Sequence, residues 1–134
     1  MSLLLVRHAY AGDSSKWVGD DRERPLAGVG WSQASGLVEL LAPYELRRIV
    51  SSPYLRCVQS VEPLSEARGI PIEHNEALGA ERLDEVQGVL QRLEGEDAVV
   101  CTHGDLPFLL KKFKKGSVWV FEGGEPAIYL PPPS

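Results

Sequence analysis

Apolar positions along this chain fall into two patterns: short unbroken runs, and longer stretches at helical spacing. Leu3, Leu4, Leu5 and Val6 form an unbroken run of the kind that builds a strand buried on both faces. From Ala11 to Gly30 the chain is rich in Gly, Asp, Ser and Pro, which predicts a long loop, and loops of that length in compact domains usually carry function. Ala34, Leu37, Val38 and Leu41 recur at helical spacing, so a helix is predicted over residues 31–41, stopped by Pro43.

The second half repeats the alternation. Residues 48–51 (Arg-Ile-Val-Ser) read as a strand, and Ser52-Pro53 as an N-cap followed by proline at the first helical position. Leu55, Val58, Val61 and Leu64 then predict a helix ending near Gly69, with Pro63 placed to kink or shorten it. Residues 70–72 suggest a short edge strand, and residues 81–93 a third helix with Val86, Val89, Leu90 and Leu93 on one face. Residues 97–102 are the clearest buried strand, followed by a His103-Gly104 turn. Pro107 is read as opening a helix through Phe113, and residues 117–121 and 127–130 as strands around Gly123-Gly124. Residues 131–133 form a polyproline tail. Strands alternating with helices imply an α/β layered domain with a mostly parallel sheet.

Composition narrows the possibilities. The 134 residues, 43% hydrophobic and 25% charged, suit one globular domain over residues 1–134 with a core of its own. A net charge of −5 argues against general binding to nucleic-acid backbones. No segment approaches the ~18 apolar residues of a membrane span. The start lacks the basic leader of a signal peptide, so a cytoplasmic location is expected. Two cysteines, Cys57 and Cys101, do not make a disulfide framework and read as reduced thiols.

Candidate chemistry gathers at strand ends. Arg7-His8 follows the first strand, His103 follows the strand ending at Thr102, and Arg56 lies one turn into the helix after Ser51-Ser52-Pro53. In a parallel sheet these positions share the ligand-binding edge. Guanidinium groups match phosphate oxygens, a neutral imidazole can attack phosphorus, and a second imidazole can hold developing charge. The conjunction reads as a phosphoryl pocket.

Four blocks in order carry a family resemblance. Leu5-Val-Arg-His-Ala9 resembles the RHG/RHA motif of the histidine phosphatase superfamily, also called phosphoglycerate-mutase-like. Residues 21–34, with Arg24-Pro25-Leu26, Gly30 and Gln33-Ala34, are similar to its D-x-x-R-P-L segment. Residues 51–60 resemble its S-S-P-x-x-R helix, and residues 99–104 its V-x-V-x-H turn. The resemblance implies a three-layer α/β/α sandwich. His8 would be the nucleophile that becomes phosphohistidine. Arg7, Arg56 and His103 would complete the phosphate pocket, with Arg24 as a further substrate contact. No metal or other cofactor is implied. The compact size looks most like the small bacterial phosphohistidine phosphatases, and also like phosphatase domains that follow Nudix domains. The expected partner is a phosphorylated small molecule or phosphoprotein; the oligomeric state is left open.

The departure is the general acid. The family's L-x-E segment aligns on Leu78 with Ala80 at the acid position, so Glu81 falls one residue late and Glu76 two early. Glu81 is the candidate acid, Glu76 the other, or no dedicated acid exists. A missing acid tilts the substrate toward phosphohistidine, or toward a binding module without catalysis.

Other features have plainer readings. Lys111, Lys112, Lys114 and Lys115 read as a helix C-terminus complementing its dipole, with a docking patch as the alternative. Asp13, Asp20 and Asp21 lack a histidine at metal-ligand spacing, and Trp17 is the tryptophan placed to line a pocket. Neither cysteine has an arginine six positions on, so a cysteine-phosphatase loop is absent. Gly28-Val-Gly30 is not a dinucleotide fingerprint, because Gln33 stands where glycine is needed. Gly30-Trp-Ser32 follows a polar loop rather than a strand, which argues against a serine-hydrolase elbow.

Overall fold

The computed structural model describes residues 2–109 and 111–133. Six strands form one mixed sheet: β1 (Leu3–Arg7), β2 (Arg48–Ser51), β3 (Ile72–His74), β4 (Ala98–Thr102), β5 (Val118–Glu122) and β6 (Glu125–Leu130). Their order is β3-β2-β4-β1-β5-β6. The β3-β2-β4-β1 part is parallel, and the β5-β6 hairpin adds two antiparallel strands beside β1.

Side-chain alternation builds the two outer layers. Leu4 and Val6 of β1, with Val99 and Cys101 of β4, face α1 (Gly28–Leu40) and α2 (Leu55–Arg68), meeting Leu37, Cys57, Val61 and Leu64. Leu3, Leu5, Ala98 and Val100 point the other way, onto α3 (Val86–Arg92) through Val86, Val89 and Leu90. Helices therefore cover both faces, as the α/β/α sandwich expectation requires.

Several boundaries move for physical reasons. α1 begins at Gly28, three residues before the predicted Trp31, with no side-chain cap. Its entry is set by Tyr10, whose carbonyl accepts from Ala27 N at 3.1 Å. That carbonyl runs so close to the helix that a Cβ at Gly30 would lie 1.9 Å from it. α2 begins at Leu55 rather than at Pro53, and Ser52 is not its N-cap; Ser52 Oγ instead accepts from Tyr54 N at 3.3 Å. Pro63 does not end α2, which continues to Arg68 and stops at Gly69 in the left-handed conformation (φ 67°). The helix predicted over 81–93 is two pieces: tight 3-10 turns over Ala80–Glu85, broken at Arg82, then α3.

The helix expected from Pro107 to Phe113 does not form among the described residues of that stretch. Its backbone acceptors are taken by tertiary donors: Trp119 Nε1 donates to Lys112 O at 2.9 Å, and Arg7 Nη1 to Phe113 O at 2.6 Å. Leu106, Leu109 and Phe113 still reach the core beneath α3. The lysine cluster therefore has no helix dipole to complement. Lys111, Lys112 and Lys115 instead lie over the rings of Trp119, Tyr129 and Tyr10, at 5.7, 4.7 and 5.4 Å. No described helix is long and apolar enough to cross a membrane.

Candidate active site

Strand register brings the two histidines together. β1 and β4 are adjacent, parallel and aligned, with Arg7 opposite Thr102, so the next residue on each strand is a histidine at the same sheet edge. His8 N donates to Thr102 O at 3.0 Å, and the two imidazole rings stand 5.5 Å apart, edge to face. β2 adds Ser52, whose N donates to Cys101 O and whose Oγ lies 3.0 Å from His103 Nε2.

His8 is nearly buried and held as a base. Its Nδ1 lies 2.8 Å from Ala9 O. A carbonyl only accepts, so Nδ1 carries the proton and the lone pair is on Nε2. Burial pushes its pKa down to about 3. The Ala9 carbonyl opposes this, while His103, Arg56 and Arg7 add to it. The ring is therefore neutral across the physiological range.

Two arginines act on its charge, Arg56 with both terminal nitrogens engaged and Arg7 with one. Arg56 donates from Nη1 to Asp21 O at 2.8 Å and from Nη2 to Asp21 Oδ2 at 3.0 Å. Arg7 reaches Phe113 O and is covered by the backbone at Gly104, where a Cβ would lie 2.5 Å from the Arg7 Cζ. Arg7 Nε and Arg56 Nε are buried without a partner. An unpaired buried N–H costs roughly 1–3 kcal/mol, a cost that a bound anion would relieve. Asp21 orients the Arg56 guanidinium and Phe113 O that of Arg7, and each side chain keeps one buried donor without a partner.

Ser60 fixes the geometry from below. One turn after Arg56 on α2, its Oγ accepts from Ala9 N at 2.8 Å and donates to Arg56 O at 2.6 Å. One hydroxyl therefore ties the turn holding His8 to the helix holding Arg56.

Arg24 is buried and spends two of its donors within its own loop. It donates to Ala11 O at 2.6 Å and pairs with Asp21 Oδ1 at 3.0 Å. The loop is built on short 3-10 turns capped by Asp13 and Asp20, which accept from Ser15 N and Arg22 N. These aspartates are turn caps. Among the described residues no group of three or more His, Cys, Asp or Glu side chains could hold a metal ion. Trp17 does not line the site; its Nε1 donates to Asp20 O at 3.0 Å.

The carboxylates stand at the rim. Glu76 and Glu81 share Arg22, at 3.3 and 3.4 Å. Glu81 also accepts from Tyr54 OH, and this bond, ahead of its ion pair with Arg22, holds its carboxyl below the usual range. Tyr54 packs edge-on against His103, with ring centroids 4.7 Å apart. Glu81 thus meets the site through Tyr54, and as an ionised group.

Asp21, Tyr54, Ser52 and Ser60 received no site role from the sequence, and Lys115 only that of a docking patch as the alternative. Two left a trace there: Asp21 stands three residues before Arg24, and Ser60 one helical turn after Arg56.

Comparison with known proteins places the fold and the family. The chain is 33% identical over 162 residues to the 8-oxo-(d)GTP phosphatase of Mycolicibacterium smegmatis, covering 98% of this chain and 48% of that protein. It therefore spans about half the length of that relative. Its fold matches SixA from Agrobacterium tumefaciens with a TM-score of 0.81 at 20% identity, over 98% and 97% of the two chains. It also matches the protein histidine phosphatase SixA complexed with tungstate, with a TM-score of 0.77 at 22% identity, over 97% and 96%. The sequence profile of the histidine phosphatase superfamily (branch 1) matches residues 3–88, spanning both the His8 turn and the Arg56 helix, and the chain belongs to that family.

Proposed function

We propose that this histidine-type phosphatase transfers a phosphoryl group to His8 Nε2 and then hydrolyses the phosphohistidine, without a metal ion. The observation that carries the reading is His8 itself: a buried, neutral imidazole whose Nδ1 is committed to Ala9 O, leaving a lone pair at Nε2 beside Arg7, Arg56 and His103. The guanidiniums supply the positive charge that a phosphoryl group needs, and the second ring can donate to its oxygens.

The carboxylates limit the leaving group. Glu81 and Glu76 are both paired with Arg22, and Glu81 is held ionised by Tyr54. An ionised carboxylate has no proton to give an alkoxide. The arrangement favours leaving groups that need no proton from a carboxyl: the nitrogen of a phosphohistidine whose other ring nitrogen is already protonated, 4-nitrophenoxide, or a phosphate oxygen. A phosphohistidine substrate is in keeping with the fold shared with SixA, and a phosphate leaving group with the name of the M. smegmatis relative.

Intact-mass measurement after brief mixing with 4-nitrophenyl phosphate and EDTA tests the reading. One added phosphoryl group is expected on the wild type, stable to base and labile to acid, and none on His8→Ala. Turnover of 4-nitrophenyl phosphate and of a phosphohistidine peptide is expected to exceed that of an alkyl phosphate. Equal turnover by wild type and His8→Ala would remove His8 as nucleophile. Phosphate binding without turnover or trapping would instead make the pocket a binding module.

A further inference from the structure

A cationic cavity lies along the loop that follows His8. It has a volume of about 340 Å³ and is walled by Tyr10, Gly12, Asp13, Ser14, Arg24 and Lys115. Backbone contacts hold Lys115 against the end of β1. Gly116 N donates to both Arg7 O and His8 O at 3.1 Å, and Arg7 N donates to Ser117 O at 3.1 Å. Gln33 ties the opposite wall to the same turn, accepting from Tyr10 N at 2.9 Å and donating to Lys115 O at 3.4 Å. Lys115 Nζ lies over the Tyr10 ring, and among the described residues it forms no ion pair.

Positive charge is in excess here, with Asp13 as the one carboxylate in the cavity wall. Burial lowers the Lys115 pKa first, and Arg7, Arg24 and Arg56 lower it further; only Asp13 opposes them. Asp13 is itself spent as a cap, accepting from Ser15 N and Oγ at 3.0 and 2.7 Å. Asp21 belongs to Arg24 and Arg56. An ammonium that shares a cavity wall with the Arg24 guanidinium, and that forms no ion pair among the described residues, is a site prepared for an anion. That anion is additional to the phosphoryl group at His8.

We propose that Lys115 and Arg24, with Tyr10 as the platform under Lys115, form a second phosphate subsite that takes the inner phosphate of a phosphoanhydride whose terminal phosphoryl group goes to His8. The inference rests on His8 as nucleophile. His8 Nε2 attacks the terminal phosphorus, and the bond to the bridging oxygen breaks with its electron pair going to that oxygen. The leaving group is then a phosphate monoester dianion, which needs neutralising charge rather than a proton. Lys115 supplies that charge, and the ionised state of Glu81 is no obstacle. Water next attacks the phosphohistidine, releasing dihydrogen phosphate and returning His8 to its neutral form, so no proton is drawn from the protein.

The test compares ADP with 4-nitrophenyl phosphate as substrates of the full chain, for wild type, Lys115→Ala and Lys115→Arg, with released phosphate and phosphorylated protein as readouts. Lys115→Ala is expected to lower kcat/KM for ADP at least about tenfold more than for 4-nitrophenyl phosphate, mostly through KM. Lys115→Arg should recover most of that difference, and all three proteins should share one circular-dichroism spectrum. Equal losses on both substrates would overturn the subsite, as would a wild type that turns over 4-nitrophenyl phosphate but neither ADP nor inorganic pyrophosphate. Failure on every substrate, with no phosphoryl group trapped on His8, would instead overturn the nucleophile on which the subsite rests.

Discussion

Asp21 holds Arg56 at two points, with its carboxylate 3.0 Å from Nη2 and its own backbone carbonyl 2.8 Å from Nη1. A loop residue thereby aims a helix residue 35 positions away. The same carboxylate takes Arg24 Nε, so one side chain sets two guanidiniums. Asp21→Ala is expected to raise KM for a phosphoryl substrate several-fold while costing only about 1 kcal/mol of stability, because the carboxylate is half exposed. Steady-state kinetics with a urea melt checks this, and an unchanged KM would show that Arg56 needs no aiming.

Ser60 is the internal counterpart. Ser60→Ala leaves Ala9 N without its acceptor inside the protein, which should cost roughly 1–3 kcal/mol. Because that turn carries His8, kcat is also expected to fall. Ser60→Thr keeps the hydroxyl and should restore both quantities, provided the added methyl is accommodated. A Thr variant as impaired as Ala would point to packing rather than to the hydrogen bond.

Acid should destabilise the fold through His8. The unfolded imidazole titrates near 6.5, whereas burial chiefly holds the folded one at about 3. Between these values the unfolded chain binds a proton that the folded chain refuses. Stability is therefore lost as pH falls through that window and is fully present above it. From pH 7 to pH 4.5 wild type should lose about 2 kcal/mol more than His8→Gln, which has no proton to bind. Parallel declines measured by urea unfolding would contradict the buried neutral ring.

Two glycines should behave differently. At Gly30 an added Cβ meets the Tyr10 backbone carbonyl, which cannot swing aside, so Gly30→Ala should cost more than about 2 kcal/mol. At Gly104 the Cβ meets the end of the Arg7 side chain. Gly104→Ala should therefore displace that guanidinium, with a large loss of turnover and a smaller loss of stability. Thermal melts and kcat/KM for both variants separate the two cases.

Glu81→Gln is expected to leave turnover of an alkyl phosphate within about threefold of wild type, since the ionised Glu81 carboxylate has no proton to give that leaving group. A loss near the 10²-fold of general acid catalysis, with the basic limb of the pH–rate profile removed, would identify Glu81 as the acid.

Much of the fold was legible in the chain. Leu3-Leu4-Leu5-Val6 and Val99-Val100 announced buried parallel strands, and His8 and His103 lay directly after them. A strand ends at a defined residue, and in a parallel sheet neighbouring ends share one edge, so local pattern was enough to bring these two together. The helix expected after Pro107 failed for the complementary reason. Apolar spacing at Leu106, Leu109 and Phe113 correctly marked burial, but whether a carbonyl is given to its own helix or to Trp119 and Arg7 depends on side chains distant in sequence.

The division between the two levels follows from the range of the forces. By itself the sequence determined the alternation of strands and helices, the sheet edge carrying His8, His103 and Arg56, and the family. These depend on side-chain periodicity and on strand ends, both local. Only the tertiary structure decided how the charges are spent: Asp21 on Arg56, Glu81 on Tyr54 and Arg22, and Lys115 on no carboxylate among the described residues. Ion pairing and burial depend on distances through space, and neighbours along the chain carry no record of them.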